Sequence, residues 1–181
     1  MNEELFESIS RRKSCQKFRE EELRAEDMDG LVDFLSELEA PEEEIDWNFD
    51  TLPYLDMMRI CSTAPAVRAP VYLVLRAERK NFSLQNCGYL GELAVLWLTS
   101  RGVATCWQGS AQVDPNEDFR GSLPYVTCIA MGYGEDAFRA PGEQPERKEA
   151  EKVIFNRTPE YTPILEAARI APPSFNRQPW A

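Results

Sequence analysis

The sequence predicts an α+β fold in which a sheet packs against helices, with one helix buried at its centre. Three observations carry this: a run from Asn81 to Arg101 that is apolar almost all round, continuous β-rich stretches at Val71–Leu75 and Tyr125–Met131, and helical and strand patterns that alternate along the chain. A helix apolar on every side must be covered on every side, and a sheet with further helices can cover it.

The elements follow in order. Glu3 to Ser10 reads as a short helix with Leu5, Phe6 and Ile9 on one side, ending before Arg11-Arg12-Lys13. From Glu22 to Leu38, Leu23, Met28, Leu31, Val32, Leu35 and Leu38 recur at helical spacing with acids on the outer face, and Gly30 is tolerated at some cost. Pro41 to Glu44 is an acidic loop. Ile45 to Asp50 alternates with period two, the mark of a half-exposed strand, whereas Val71 to Leu75 is continuously apolar after Pro70 and reads as a central strand. The buried helix closes at Arg101-Gly102, and Val103 to Trp107 follows as a strand into Gln108-Gly109. Tyr125 to Met131 is another strand, ending at Gly132-Tyr133-Gly134. Glu135 to Glu146, with Pro141, Gly142 and Pro145, is a loop ahead of a short helical run from Lys148 to Phe155. Thr162 is placed to cap a helix with Pro163 at its first position, and that helix runs through Ile170 before Pro172-Pro173 stop it. No internal repeat or composition break marks a second domain, so residues 1–181 are expected to form one. Periodicity leaves the strand order open.

Composition narrows the chemistry. Twenty Lys plus Arg against 31 Asp plus Glu give a formal charge of −11, which repels a phosphate backbone and an anionic bilayer alike, so neither nucleic acid nor membrane is expected as a partner. The five cysteines are odd in number and scattered, without a Cys-x-x-Cys, which argues against a disulfide framework or a zinc site. There is no histidine, so the commonest general base and the commonest metal ligand are both missing. The reaction chemistry is therefore expected to belong to a cofactor. An acidic N-terminus without an apolar signal core, and the lack of any uncharged stretch of membrane-span length, point to the cytoplasm.

Four segments carry the site. The last ten residues join two prolines to Ser174, Asn176 and Gln178, placing hydrogen-bonding groups on a stiff turn suited to a flat polar ligand; a frayed helix stop is the plainer alternative. Ile9 to Phe18 packs four cations around Ser14 between two apolar anchors, as a phosphate monoester needs, although most such runs are solvated charge. In Gly102 to Gly109 core packing explains the apolar positions, while Gly109 permits close backbone approach to a planar ring. Arg147-Lys148 offers a late basic pair, with a surface charge pair as the competing reading.

Ala171 to Trp180 resembles the A-P-S-x-x-N-x-Q-P-W signature of the nitroreductase family of flavoproteins, and Ile9 to Phe18 resembles that family's opening, I-x-x-R-[RK]-S-x-R-x-F. Trp107-Gln108-Gly109 and Gly132-Tyr133-Gly134 are similar to its W-x-G and G-Y-P stretches. Because the Asn-x-Gln-Pro-Trp turn comes last, the order looks like the branch called putative TM nitroreductases, over Glu4 to Trp180.

The resemblance implies a nitroreductase-like α+β fold holding FMN, with NADH or NADPH as electron donor and a nitroaromatic, quinone or similar small organic molecule as acceptor. It implies phosphate contacts from Arg12 and Ser14 with Lys13 beside them, completed by Arg147 and Lys148. Backbone N–H groups at Gln108 and Gly109 are implied near flavin N5, and Pro172, Pro173, Ser174 and Asn176 frame the ring. Gln16 stands where the family usually has a second Arg or Lys at the pyrimidine edge, so a lower reduction potential is expected. No side chain is assigned as catalytic acid or base. Relatives in that branch continue past Trp180, so a shortened chain or a fragment is expected, and a homodimer could supply cover for Trp180. A flavin-binding or flavin-less scaffold without turnover is the alternative.

Overall fold

The computed structural model describes residues 3–118, 123–155 and 158–179. In chain order the elements are α1 (Glu3–Arg11), α2 (Ala25–Ser36), β1 (Trp47–Pro53), α3 (Tyr54–Ile60), β2 (Cys61–Thr63), β3 (Val71–Ala77), α4 (Ser83–Ser100), β4 (Ala104–Trp107), β5 (Gln112–Val113), β6 (Tyr125–Gly132), α5 (Ala150–Val153) and α6 (Thr162–Ile170). The fold is α+β: four strands form one sheet in the order β1-β3-β6-β4, every neighbouring pair antiparallel, and β2 pairs with β5 in a small second sheet.

The continuous apolar run of β3 is explained by burial on both faces. Leu73, Leu75 and Ala77 join Ile129 and Met131 of β6 against Leu31 and Leu35 of α2 and Ala94, Val95 and Leu98 of α4. Tyr72 and Val74 point the other way, with Cys128 and Ala130, onto Met57 and Ile60 of α3. Register fixes these sets: Leu73 faces Ile129, Phe49 faces Leu75 and Cys106 faces Ala130. Arg76 is fully buried among them, donating to Asp50 at 2.8 Å and to Asp118 at 2.7 Å.

α4 lies on this sheet because Gly91 has no side chain there. A Cβ would overlap the Trp107 ring and come within 2.8 Å of Leu75. The helix is less enclosed than its composition predicts: Leu90, Ala94, Val95 and Leu98 are buried, but Leu84 is 73 % exposed and Tyr89 is 49 % exposed in the first turns.

Three further departures have local causes. α2 begins at Ala25 rather than Glu22, because the Arg24 N–H donates to the Tyr133 hydroxyl at 3.3 Å and its guanidinium holds Asp27. Thr162 is no side-chain cap; a 3-10 turn over Pro159–Tyr161 leads into α6 through the backbone, and Pro163 sits inside the first turn. α3, β2 and β5 have no counterpart among the predicted elements, since seven, three and two residues are too short to establish a period. Among the described residues no helix is long and apolar enough to cross a membrane.

Candidate functional site

After α1 the chain runs extended along the edge of the sheet. Arg12 bridges to Phe138, Ser14 pairs in parallel with Thr105, and Phe18 bridges to Gly134, while the Cys15 N–H donates to the Thr105 carbonyl at 2.9 Å. Period-two alternation then buries Cys15 and leaves Ser14 and Gln16 outward. Gly134 makes this approach possible, because a Cβ there would overlap the Cys15 sulfur.

Ser14 and Gln16 form one side of a cavity of about 570 Å³. Gln108 and Gly109 border it at the end of β4, and Arg147, Pro172, Pro173, Ser174, Phe175 and Asn176 supply the C-terminal side. Nine of the sequence-named positions thus surround one space. Arg12, Lys13 and Lys148 are not among its lining residues.

Gln108 acts as a brace. Its N–H donates to the Cys128 carbonyl at 2.9 Å, its Oε1 accepts from the Val67 N–H at 3.0 Å, and its Nε2 donates to the Cys106 carbonyl at 3.2 Å. The backbone donor expected from Gln108 is therefore engaged within the fold. At Gly109 nothing lies within 4 Å of where a Cβ would be, and among the described residues no acceptor pairs with its N–H.

The C-terminal turn is clamped by the late basic pair. Arg147 Nη1 donates to Asn176 Oδ1 at 3.1 Å and Nη2 to the carbonyls of Ile170 and Ala171 at 3.3 and 3.2 Å. Its Nε is buried and, among the described residues, unpaired. Lys148 donates its N–H to Gln178 Oε1 at 2.6 Å and its Nζ to the Gln178 carbonyl at 3.1 Å. Phe175, Asn176 and Gln178 all take left-handed backbone, with φ of 50°, 52° and 49°, a conformation that asparagine tolerates but that costs energy at Phe175 and Gln178. Trp180 lies outside the described residues.

Positive charge gathers beside the cavity. Arg12 is buried with Glu92 at 3.6 Å, and Glu92 also accepts from Trp107 Nε1 at 3.0 Å. Burial lowers the Arg12 pKa against the pull of Glu92, and burial raises the Glu92 carboxyl. Burial and then the like charges of Arg12 and Arg147 push Arg139 down to about 10. Arg147 is lowered by burial and then by Arg12. Lys13 instead points to Asp136 at 2.6 Å and Glu143 at 3.8 Å. Arg139 escapes sequence reasoning because it sits in a loop; its N–H donates to the Arg11 carbonyl at 2.9 Å, which sets it beside the Arg12 segment. The only sequence signal is an arginine in a chain poor in bases.

An α+β sheet with a strapped basic N-terminal segment and a proline-stiffened turn facing one cavity defines the class. The chain belongs to the family described as Putative TM nitroreductase, whose model matches residues 4–181. Among solved structures it resembles a putative nitroreductase from Thermotoga maritima MSB8, with 26 % identity and a TM-score of 0.63 over 99 % of this chain and 70 % of that one. A nitroreductase with bound FMN from Desulfitobacterium hafniense DCB-2 shares the fold at 15 % identity and TM-score 0.63, over 87 % of this chain and 100 % of that one. An FMN-dependent nitroreductase from Clostridium difficile R20291 does so at 16 % identity and TM-score 0.62, over 83 % and 98 %. A comparison with curated proteins finds no match.

Proposed function

We propose that this chain is an FMN-dependent oxidoreductase of the cytoplasm that uses NADH or NADPH to reduce a nitroaromatic, quinone or similar organic acceptor. The observation that carries the reading is the single cavity shared by Ser14, Gln16, Gly109, Arg147 and the Pro172–Asn176 turn. Its volume of about 570 Å³ falls within the range of cofactor pockets. The donor set fits the group as well: an Arg147 Nε that is buried and, among the described residues, unpaired and an Arg139 depressed by burial and by the charges of Arg12 and Arg147 favour an anion, and Gly109 leaves room for a flat ring.

Ser14 and Arg147 would hold the phosphate directly, with Arg12 supplying field from behind and Lys13 and Lys148 setting the loops around it. Gly109 would offer its N–H to the flavin ring, and Gln108 keeps its turn in place. Gln16 would donate to the pyrimidine edge without charge. Pro172, Pro173, Ser174 and Asn176 line the cavity and would frame the ring. Bound FMN would supply the hydride acceptance and electron release. Solvent can protonate the products, so no side-chain acid or base is required.

The exposed Leu84 and Tyr89 on α4, and Phe6 of α1 at 52 % exposure, are apolar side chains that a homodimer could cover. The chain otherwise works as one domain over residues 1–181, or as part of a longer product. Purified protein mixed with FMN should retain the flavin absorption bands after desalting and bleach on addition of NADH or NADPH without oxygen. Retained bands without bleaching would favour the scaffold without turnover, which Gln16 makes the second reading; no retained flavin would end the flavin assignment.

A further inference from the structure

Phe175 satisfies none of the usual reasons for a phenylalanine. Its ring is 81 % exposed, so it adds nothing to the core, and its backbone (φ 50°, ψ 30°) is one that glycine or asparagine adopts more readily. Neither burial nor local propensity accounts for it. Yet the residue is held firmly: the Asn176 N–H donates to the Pro173 carbonyl at 3.2 Å, the Arg177 N–H to the Ser174 carbonyl at 3.1 Å, and Asn176 Oδ1 accepts from Arg147 and from Gln178 Nε2 at 3.2 Å. The result is a held backbone that presents the Phe175 ring at the cavity, with the Arg177 guanidinium 5.7 Å from the ring centroid.

We infer that Phe175 and Arg177 form a stacking platform at the cavity rim for a planar aromatic acceptor that carries negative charge. A flat ring gains by stacking on an aromatic face, and the hydrogen-bonded turn sets the position of that face before the ligand arrives. The charge preference follows from position: Arg177 beside the ring opposes the −11 charge of the chain, so an acidic substituent is drawn to this rim and not to the surface around it. The inference rests on the reading of the cavity as a flavin site, since the platform serves an acceptor of the flavin's electrons.

The test is calorimetric titration of FMN-loaded protein with anthraquinone-2-sulfonate and with neutral 2-(hydroxymethyl)anthraquinone. Phe175→Ala should weaken the sulfonate about tenfold, the size of one aromatic stack, and Phe175→Trp should restore it. Arg177→Ala should weaken the sulfonate and leave the neutral quinone unchanged. Unchanged binding in Phe175→Ala, or equal loss in Phe175→Ala and Phe175→Trp, overturns the platform; equal loss of both quinones in Arg177→Ala overturns the charge preference. FMN retention is measured separately on each variant. Should the flavin reading fail, the same titrations on flavin-free protein still decide whether Phe175 stacks.

Discussion

At the scale of single residues the proposed anion site turns on Arg12, Arg139 and Arg147. Burial lowers all three, and like charge adds to it at two: Arg12 and Arg147 lower Arg139, and Arg12 lowers Arg147, a strain that a bound dianion would relieve. Arg139→Ala should therefore weaken FMN more than riboflavin, by roughly tenfold in the ratio of dissociation constants if one charge-assisted contact or its field is lost. A parallel loss for both ligands would mean that Arg139 only braces its loop. Arg12→Ala should lose FMN while the exposed Lys17→Ala keeps it, and gel-filtered flavin content reads both. Gln16 lines the same cavity as an uncharged donor, so Gln16→Arg should raise the flavin midpoint potential, on the order of 30 mV for each 1.4 kcal/mol of added preference for the reduced form. A spectroelectrochemical titration showing an unchanged or lower potential would remove Gln16 from the pyrimidine edge.

Elements are positioned by a few buried contacts between their ends. Asp27 at the start of α2 accepts from Arg24 at 2.8 Å and from the Tyr133 hydroxyl at 3.0 Å, and Arg101 from the end of α4 lies 3.6 Å away. Burial alone would raise this carboxyl, but Arg24, Tyr133 and Arg101 outweigh it and hold it below the ordinary carboxylate range. A carboxyl depressed in the folded state adds stability above its unfolded pKa and loses it as pH falls through the folded one. Asp27→Asn should thus cost about 1–3 kcal/mol at pH 7, and the gap from the parent in urea unfolding should narrow below about pH 4. A gap that stays constant with pH would show that packing, not charge, is lost. Gly91→Ala should cost a further ~1–3 kcal/mol by forcing Trp107 and Leu75 aside, read as a lower thermal midpoint.

Legibility differed between these elements for physical reasons. β3, β6 and α4 could be read because runs of apolar residues long enough to show a pattern are buried between the sheet faces and α2. α3 could not, because only Met57 and Ile60 of its seven residues are buried. Ser14 and Gln16 were nameable from motif spacing, yet their common outward face depends on pairing with Thr105, a contact 91 positions along the chain that no local pattern encodes. The side-chain bracing by Gln108 and the place of Arg139 likewise come from long-range pairing.

At the scale of the whole molecule, one sheet edge, one strapped segment and one C-terminal turn meet at a single cavity. α6 has no fully buried residue among those described, and Arg169 ties its end to the Lys148 carbonyl at 2.8 Å. Sedimentation of the FMN-mixed chain should show a dimer that hides Leu84, Tyr89 and Phe6; a monomer that binds FMN fully would show that this surface needs no second copy. If the cavity holds a flavin by its monophosphate, as proposed, fluorescence-quenching titration with FMN, riboflavin and FAD should separate the three ligands. Saturation at one FMN per chain, with riboflavin and FAD bound at least about tenfold more weakly, is the predicted result. Absence of saturable quenching, or equal affinity for FMN and riboflavin, would contradict it.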